Sequence, residues 1–302
     1  MKILVTGATG FIGQHVISQL LEHKHAVTAV ARDEAKARKF AWFDRVRFIA
    51  CDIHRPIDNP VERFGQPEAA IHLAWPGLLH YKNLVHFEEN LPASYRFLKS
   101  LVENGITHLL VTGTCLEYGM RNGCLSEEMP SDPSIPYALA KDTLRKFLEE
   151  LKRVHSFKLQ WARLFYMYGP GQNPNSLIAQ LDHAIDLGEK SFNMSGGEQL
   201  RDYLPVEEVA RRLVSLLEHP ECEGIVNICS GSPISVRRLV EQHIEKNKAQ
   251  IKLNLGYYPY PDYEPMAFLG STEKFLKYCT TPEMNHTDSE WRKHESENKA
   301  AD

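Results

Sequence analysis

Lys2-Ile3-Leu4-Val5-Thr6-Gly7-Ala8-Thr9-Gly10-Phe11-Ile12-Gly13 is the stretch that decides the fold. Its short apolar run reads as a buried parallel strand. The run breaks at Gly7, and beyond the glycines Val16, Ile17, Leu20 and Leu21 recur at helical spacing. A strand, a glycine turn and a helix start, in that order, make a phosphate site. Gly7 permits the tight turn, Gly10 lets a backbone approach a pyrophosphate, and Gly13 lets the helix pack on the strand. N–H groups at the helix start would face the phosphates. The spacing is G-x-x-G-x-x-G, not the G-x-G-x-x-G of most dinucleotide-binding dehydrogenases. Gly7, Thr9, Gly10, Phe11, Ile12 and Gly13 are therefore candidate cofactor-binding residues.

Working outward, residues 26–31 read as a second strand, and its end bears on the cofactor. An acidic residue there takes the ribose 2′-hydroxyl of NAD, whereas an arginine accommodates the 2′-phosphate of NADP. Ala31 stands where the acid is expected and Arg32 follows, which favours NADP over NAD. In the alternative reading Asp33 binds the ribose and Arg32 is a solvated surface residue. Residues 46–50 form a third strand ending at Cys51-Asp52-Ile53. Asp52 there either caps an adenine pocket or makes a turn. Residues 69–74 form a fourth strand, leading into Trp75-Pro76-Gly77 on the carboxyl edge, where ligands bind in open α/β sheets. His72, inside that apolar run, reads as a core histidine.

A helix over 87–104 or 92–104 follows, then a fifth strand at 108–112 that ends in Gly113-Thr114-Cys115-Leu116-Glu117-Tyr118-Gly119. After a polar loop at 120–136 come a strong helix from 137 or 138 to about 155 and a sixth strand at 160–165. This alternation predicts an α/β, Rossmann-like, doubly wound parallel sheet. Past Gly171 the alternation loosens. Helices are expected at 176–187, 206–217 and 235–246, with Ser235 as an N-cap. Strands are expected at 225–228 and 251–255, and an aromatic, proline-rich loop at 257–263. The domain reading is a dinucleotide-binding domain over 1–170, rejoined by 204–230. A smaller C-terminal substrate lobe takes 171–203 and 231–284, and 285–302 is a polar tail expected to be disordered.

The bulk properties set limits. A chain of 302 residues can bury a large core, and 43% hydrophobic with 25% charged residues is ordinary for a globular protein. A net charge of −4 carries no footprint for nucleic acid. The six cysteines are scattered without a C-x-x-C, which speaks against a zinc site or a disulfide framework and fits a reducing cytoplasm. No metal is expected. No apolar run reaches the roughly 18–20 residues of a membrane span, and no signal peptide opens the chain, so a cytoplasmic location is expected.

Tyr137 and Lys141 are spaced i, i+4 at a helix start and share one face. A free tyrosine has a pKa of about 10, and a nearby ammonium lowers it. Tyr137 could then exchange a proton with a substrate oxygen. Lys141 could also bind the cofactor ribose, and Thr114 could offer a hydroxyl to the same oxygen.

Taken together, these residues resemble an extended short-chain dehydrogenase/reductase of the nucleotide-sugar epimerase/dehydratase group. The resemblance is carried by Thr6 through Gly13, Asp52-Ile53, His72-Leu73-Ala74, Thr114 through Gly119 and Tyr137-x-x-x-Lys141. It continues through the run from Arg163 to Gly171, Arg201-Asp202-Tyr203 and Asn227-Ile228-Cys229-Ser230-Gly231. It implies a nicotinamide cofactor, a nucleoside-diphosphate sugar substrate and a homodimer formed through the helices near 92–104 and 138–154. By position it implies Thr114, Tyr137 and Lys141 as catalytic residues. Asp52, Ile53, Leu73, Ala74, Trp75, Asn90, Tyr137, Lys141 and Phe165 join Arg32 in the cofactor set. Trp75, Thr114, Tyr118, Tyr137, Tyr166, Asn175, Arg201 and Glu264 form the substrate set, with Arg201 on the diphosphate.

Departures from the group narrow the reaction. The acid pair that 4,6-dehydratases carry after the Thr is replaced by Cys115-Leu116, and Leu116 stands where fucose-synthase-like epimerase/reductases carry a Cys. Tyr166 replaces a usual Asn, and Trp75-Pro76 replace small residues. With no additional acid or base, the economical expectation is NADPH-linked hydride transfer at C4 of a nucleotide-linked 4-keto-6-deoxyhexose. A 4-epimerase with tightly held NAD is the alternative, and a non-catalytic regulatory protein a remote one.

Overall fold

The computed structural model describes residues 1–78 and 80–279. The expected tail at 285–302 and the end of the 231–284 segment lie outside the described residues. The first half runs β1 (Lys2–Thr6), α1 (Phe11–Glu22), β2 (Ala26–Ala31), α2 (Glu34–Ala37), β3 (Arg47–Ala50), α3 (Pro60–Arg63) and β4 (Ala69–His72). A π-helical turn, His86–Asn90, leads into α4 (Leu91–Glu103), then β5 (His108–Thr114), a 3-10 turn (Cys115–Tyr118), β6 (Gly123–Leu125), α5 (Pro136–Lys152) and β7 (Lys158–Leu164). The second half runs β8 (Tyr166–Tyr168), α6 (Leu177–Asp186), β9 (Ser191–Asn193), β10 (Leu200–Pro205), α7 (Val206–Glu218) and β11 (Gly224–Ile228). It continues with β12 (Pro233–Ser235), α8 (Val236–Lys246), β13 (Lys252–Asn254), β14 (Ala267–Gly270) and α9 (Glu273–Cys279).

Among the described residues the main sheet has seven parallel strands in the order β3-β2-β1-β4-β5-β7-β11. The order reverses between β1 and β4, the switch point at which ligands bind in such sheets. Side chains alternate across β1. Leu4 joins a core with Phe97, Leu98, Leu144 and Leu148 of α4 and α5. Ile3 and Val5 join a second core with Val16, Ile17 and Leu20 of α1 and Leu213 and Leu217 of α7. His72 is fully buried, as expected, with Nδ1 2.9 Å from the Thr6 hydroxyl; burial pushes its pKa down to about 3.

A second sheet, β12-β10-β14-β6 with β8 beside β10, lies past the carboxyl edge. β6 falls within the expected 120–136 loop. It is a strand because Gly123 and Leu125 pair with Phe268 and Gly270 of β14, a contact with no local signature. The buried Asp202 carboxylate ties this sheet together. It accepts N–H groups of Ser230 (2.6 Å), Gly231 (2.9 Å) and Gly270 (3.3 Å) and the Ser230 hydroxyl (2.7 Å). β9 and β13 pair under α6 and α8 around Phe192, Met194 and Val240. The Ser235 hydroxyl caps α8 by accepting the Arg238 N–H at 3.1 Å. No helix among the described residues is long and apolar enough to cross a membrane.

Candidate active site

The glycine turn forms a tight cradle. Gly7 has φ +72°, and a Cβ there would stand 2.8 Å from the Ala74 nitrogen. A Cβ on Gly13 would stand 2.3 Å from the Gly7 carbonyl oxygen. Thr9, Phe11 and Ile12 lie between these contacts, and Leu73 and Ala74 close the cradle from the end of β4, where the Leu73 N–H reaches the Thr6 carbonyl at 3.3 Å. Gly10 is the N-cap of α1, no side chain caps it, and the first turn holds no acid. The N–H groups at the start of α1 are thus unclaimed by side chains, which suits a pyrophosphate.

At the ends of β2 and β3 the geometry is more specific than the spacing. Arg32 is exposed. The Asp33 carboxylate accepts the Lys36 N–H at 2.9 Å and caps α2. Asp52 accepts the His54 N–H at 3.1 Å, the turn role, beside the buried Ile53.

The chemistry gathers where β5 ends and α5 begins. The Thr114 hydroxyl accepts the Leu116 N–H at 3.3 Å, and the Thr114 N–H reaches Glu117 at 2.8 Å. With its oxygen accepting, the hydroxyl keeps its own proton to donate, and it acts on the Tyr137 phenol to lower its pKa. Tyr137 is buried and its pKa lies well above the usual tyrosine value. Burial is the main cause; Tyr81, Glu117 and Cys115 add to it, and the Thr114 hydrogen bond opposes it.

Lys141 corrects an expectation. The Tyr137 pKa is raised, not lowered, with Lys141 one turn along the same helix. The Lys141 Nζ donates to the Thr112 carbonyl at 2.8 Å and lies 4.1 Å from the Trp75 ring centre. The helix aims this side chain down onto β5, and desolvation pushes the Lys141 pKa from 10.5 to about 7, with Glu117 opposing. Trp75 in turn donates its indole N–H to Nδ1 of His86 at 3.1 Å, and Nε2 of His86 lies 3.0 Å from the His80 carbonyl. Asn90 donates to the Pro76 carbonyl at 3.0 Å, which fixes the loop after β4.

Tyr118 is a second correction. It is not a pocket residue. The 3-10 turn after Thr114 points its ring inward, where it is fully buried, donates to Asn227 at 2.8 Å and carries the Arg163 guanidinium 4.3 Å from its centre. Phe165 is buried beside it, its ring 6.0 Å from Phe268, at the joint of the two sheets.

Arg201, buried on β10, pairs with Glu264 at 3.0 Å and lies 5.4 Å from the Tyr166 ring centre. A line of contacts joins this guanidinium to the phenol: Tyr137 meets Tyr81, Tyr81 meets Tyr263, and Glu264, next in the chain, pairs with Arg201. Asn175 is exposed on the turn before α6, bonded to Asn173 and Gln180.

Several residues of the site went unread in the sequence. Tyr81 stacks on Tyr137 at 5.3 Å, its carbonyl accepts the Tyr137 N–H at 3.1 Å, and its ring meets Tyr263 at 6.1 Å. Lys82 bonds Asp262 at 2.8 Å, so the loop after β4 and the loop before β14 meet over Tyr137. The aromatic density of Trp75, Tyr81, His86 and Phe87 was the signal available.

The parallel sheet, the glycine cradle and the tyrosine–lysine helix define a Rossmann-like enzyme of the nicotinamide-dependent class. The chain belongs to the NAD dependent epimerase/dehydratase family, whose pattern matches residues 3–229. It is 30% identical over 273 residues to the dTDP-6-deoxy-L-talose 4-dehydrogenase (NAD(+)) of Aggregatibacter actinomycetemcomitans, covering 90% of this chain and 100% of that one. It is 26% identical over 287 residues to the GDP-6-deoxy-D-talose 4-dehydrogenase of the same organism, covering 91% and 90%. Its fold superposes on that of MoeE5 in complex with UDP-glucuronic acid and NAD with a TM-score of 0.78, at 26% identity and 92% coverage of both chains.

Proposed function

We propose that this protein is a nicotinamide-dependent dehydrogenase/reductase acting at C4 of a nucleoside-diphosphate 6-deoxyhexose. The observation that carries the reading is a buried phenol, Tyr137, and the Thr114 hydroxyl together at the end of β5, linked through Tyr81 and Tyr263 to the Glu264–Arg201 pair. The similarity to two 6-deoxytalose 4-dehydrogenases that differ in nucleotide supports the C4 position. When bound, the cofactor supplies the hydride acceptor or donor. Gly7, Gly10, Gly13 and the start of α1 would hold its pyrophosphate, and Lys141 and Asn90 would border its nicotinamide half. In the reductive direction Tyr137 gives its proton to the oxygen at C4, and Thr114 hydrogen-bonds the same oxygen. In the oxidative direction the same groups run in reverse. Arg201 binds the diphosphate by exchanging Glu264 for phosphate oxygens. Tyr81 and Tyr263, joined through Lys82–Asp262, cover the sugar.

On the cofactor's 2′ position the residues and the relatives diverge. Arg32 suits a 2′-phosphate, and Asp33 is occupied in capping α2. The relative whose name specifies a cofactor specifies NAD, and MoeE5 was solved with NAD, so the NADP preference draws nothing from them. The outer face of α4 and α5, with Leu139 and Phe147 exposed, is the surface for a homodimer.

The experiment follows nicotinamide absorbance with dTDP- and GDP-linked 4-keto-6-deoxyhexoses in the presence of NADH or NADPH, and with the 6-deoxyhexoses in the presence of NAD or NADP. Net redox change at C4 supports the reading. Interconversion of C4 epimers with no net redox change replaces it with an epimerase. A preference for NADPH that falls in Arg32→Ala assigns the 2′-phosphate to Arg32; equal use of NADH leaves Arg32 a surface residue.

A further inference from the structure

Three metal-ligating side chains converge at the amino-terminal rim of the main sheet, at the opposite edge from the glycine cradle. His23 is the C-cap of α1, His25 immediately precedes β2, and Glu218 ends α7. Lys24, between the histidines, has φ +61°. This left-handed step, a common way to close a helix, turns the chain so that both rings face the same way. Their centroids are 6.4 Å apart and their planes differ by 22°. Nδ1 of His23 lies 3.0 and 3.1 Å from the two Glu218 oxygens, and Nε2 of His25 lies 2.7 Å from one of them. All three ligand atoms fall within 4.8 Å of one another.

We propose that His23, His25 and Glu218 form a site for one divalent transition-metal ion of the zinc class. Two imidazoles and one carboxylate are a zinc-type donor set, with the fourth position left to water. Side-chain exposures of 40% for His23 and 29% for Glu218 leave that position open, while His25, at 9%, anchors the site. Zinc bonds of about 2.0–2.1 Å place neighbouring donors about 3.3 Å apart. The histidine–carboxylate separations of 3.0 and 2.7 Å widen by about 0.3–0.6 Å to reach that, and the two imidazole donors, within 4.8 Å of each other, close by up to about 1.5 Å.

An independent observation points to a cation. α1 and α7 pack side by side, and the site sits at the C-terminal end of both. Both macrodipoles turn their negative ends toward it. On binding, each ring must give up the N–H now directed at Glu218 and carry its proton on the other nitrogen. The ion would staple the far end of the helix whose near end forms the phosphate cradle. The scattered cysteines are irrelevant to this donor set.

The test uses the full chain, free of any tag and stripped with chelator, titrated calorimetrically with zinc and melted with and without it. The expected result is one ion per chain and a melting temperature raised by a few degrees at saturating zinc. Magnesium, which demands oxygen ligands, gives no response. Affinity falls in acid, because the imidazole and carboxylate donors must be free of protons to bind. His25→Ala and Glu218→Gln each weaken zinc at least about tenfold, since loss of an outer-shell partner alone costs that much. Dinucleotide titration is unchanged in both. Absence of saturable zinc binding in the parent protein overturns the proposal, as does undiminished binding in Glu218→Gln, which keeps the shape of the site while removing its charge.

Discussion

The Lys141 ammonium lies 4.1 Å from the centre of the Trp75 ring, and Trp75 is itself held by His86 at 3.1 Å. A cation buried on an aromatic face is attracted to it, yet the attraction does not offset desolvation here, because the Lys141 pKa still falls to about 7. The lysine is therefore a group held in a costly state by the fold around it.

That state has a pH signature. The folded pKa of Lys141 lies below its unfolded value, so between about 7 and the ordinary 10.5 the unfolded chain binds more protons. Stability from this residue rises with pH through that window and is lowest at and below its start. Lys141→Met removes the charge and with it the slope. The melting temperature of Lys141→Met should gain most over the parent near pH 7, and the gain should shrink toward pH 10. A gap that does not change with pH would show that folding does not lower the Lys141 pKa.

Tyr137→Phe removes the proton that the substrate oxygen would take. Turnover should fall by about 10²–10⁴-fold with dinucleotide affinity unchanged in a fluorescence titration. Thr114→Val should also lower kcat, and Thr114→Ser, which keeps the hydroxyl, should recover it. Burial holds the phenol protonated above the usual tyrosine range. The reductive rate should therefore show no loss from Tyr137 ionisation up to about pH 10, the ordinary tyrosine value.

Gly13→Ala places a methyl 2.3 Å from the Gly7 carbonyl. Backbone, not a flexible side chain, stands in the way, so α1 must move off β1. We expect a loss of about 1–3 kcal/mol in urea unfolding, together with loss of dinucleotide binding. Binding at parental affinity would show that the cradle tolerates a wider turn.

Glu117 and Arg163 are both fully buried and meet at 2.7 Å; Glu117 also accepts the Trp161 indole and the Thr114 N–H. Glu117→Gln leaves the guanidinium without its counter-charge in the core. Removing one partner of a buried pair costs about 3–5 kcal/mol, readable as a shifted urea midpoint. A neutral result would mean that Asp142, 3.9 Å from Arg163, takes over.

The cofactor half of the fold was legible because its signals are local. A strand, three glycines and an amphipathic helix lie within twenty-odd residues, and each implies the next. Tyr118 was misplaced for the opposite reason. Its neighbour Thr114 belongs to the site, but a single 3-10 turn rotates the next ring but three into the core, and sequence proximity does not report rotation. The short strands β6, β8, β9 and β12 carry three residues each, too few for a period to show, and they exist only through distant partners. Tyr81 reaches Tyr137 across the whole of α4 and β5, a juxtaposition that no spacing rule anticipates.

The pairing of Gly123 with Phe268 also sets an order of assembly. Strands β1, β2, β3, β4, β5 and β7 find their neighbours in chain emerging no later than Leu164. β6 waits for residues more than a hundred positions downstream, and closing so long a loop slows the step that needs it. During synthesis strands β1 to β5 and β7 can pair while Arg201 and Glu264 are still unmade, but α1 then lacks the face of α7 that covers Val16, Ile17 and Leu20. The glycine turn thus reaches its final packing only after α7 has emerged, and in the finished protein the later sheet is the part whose amide protons should exchange first.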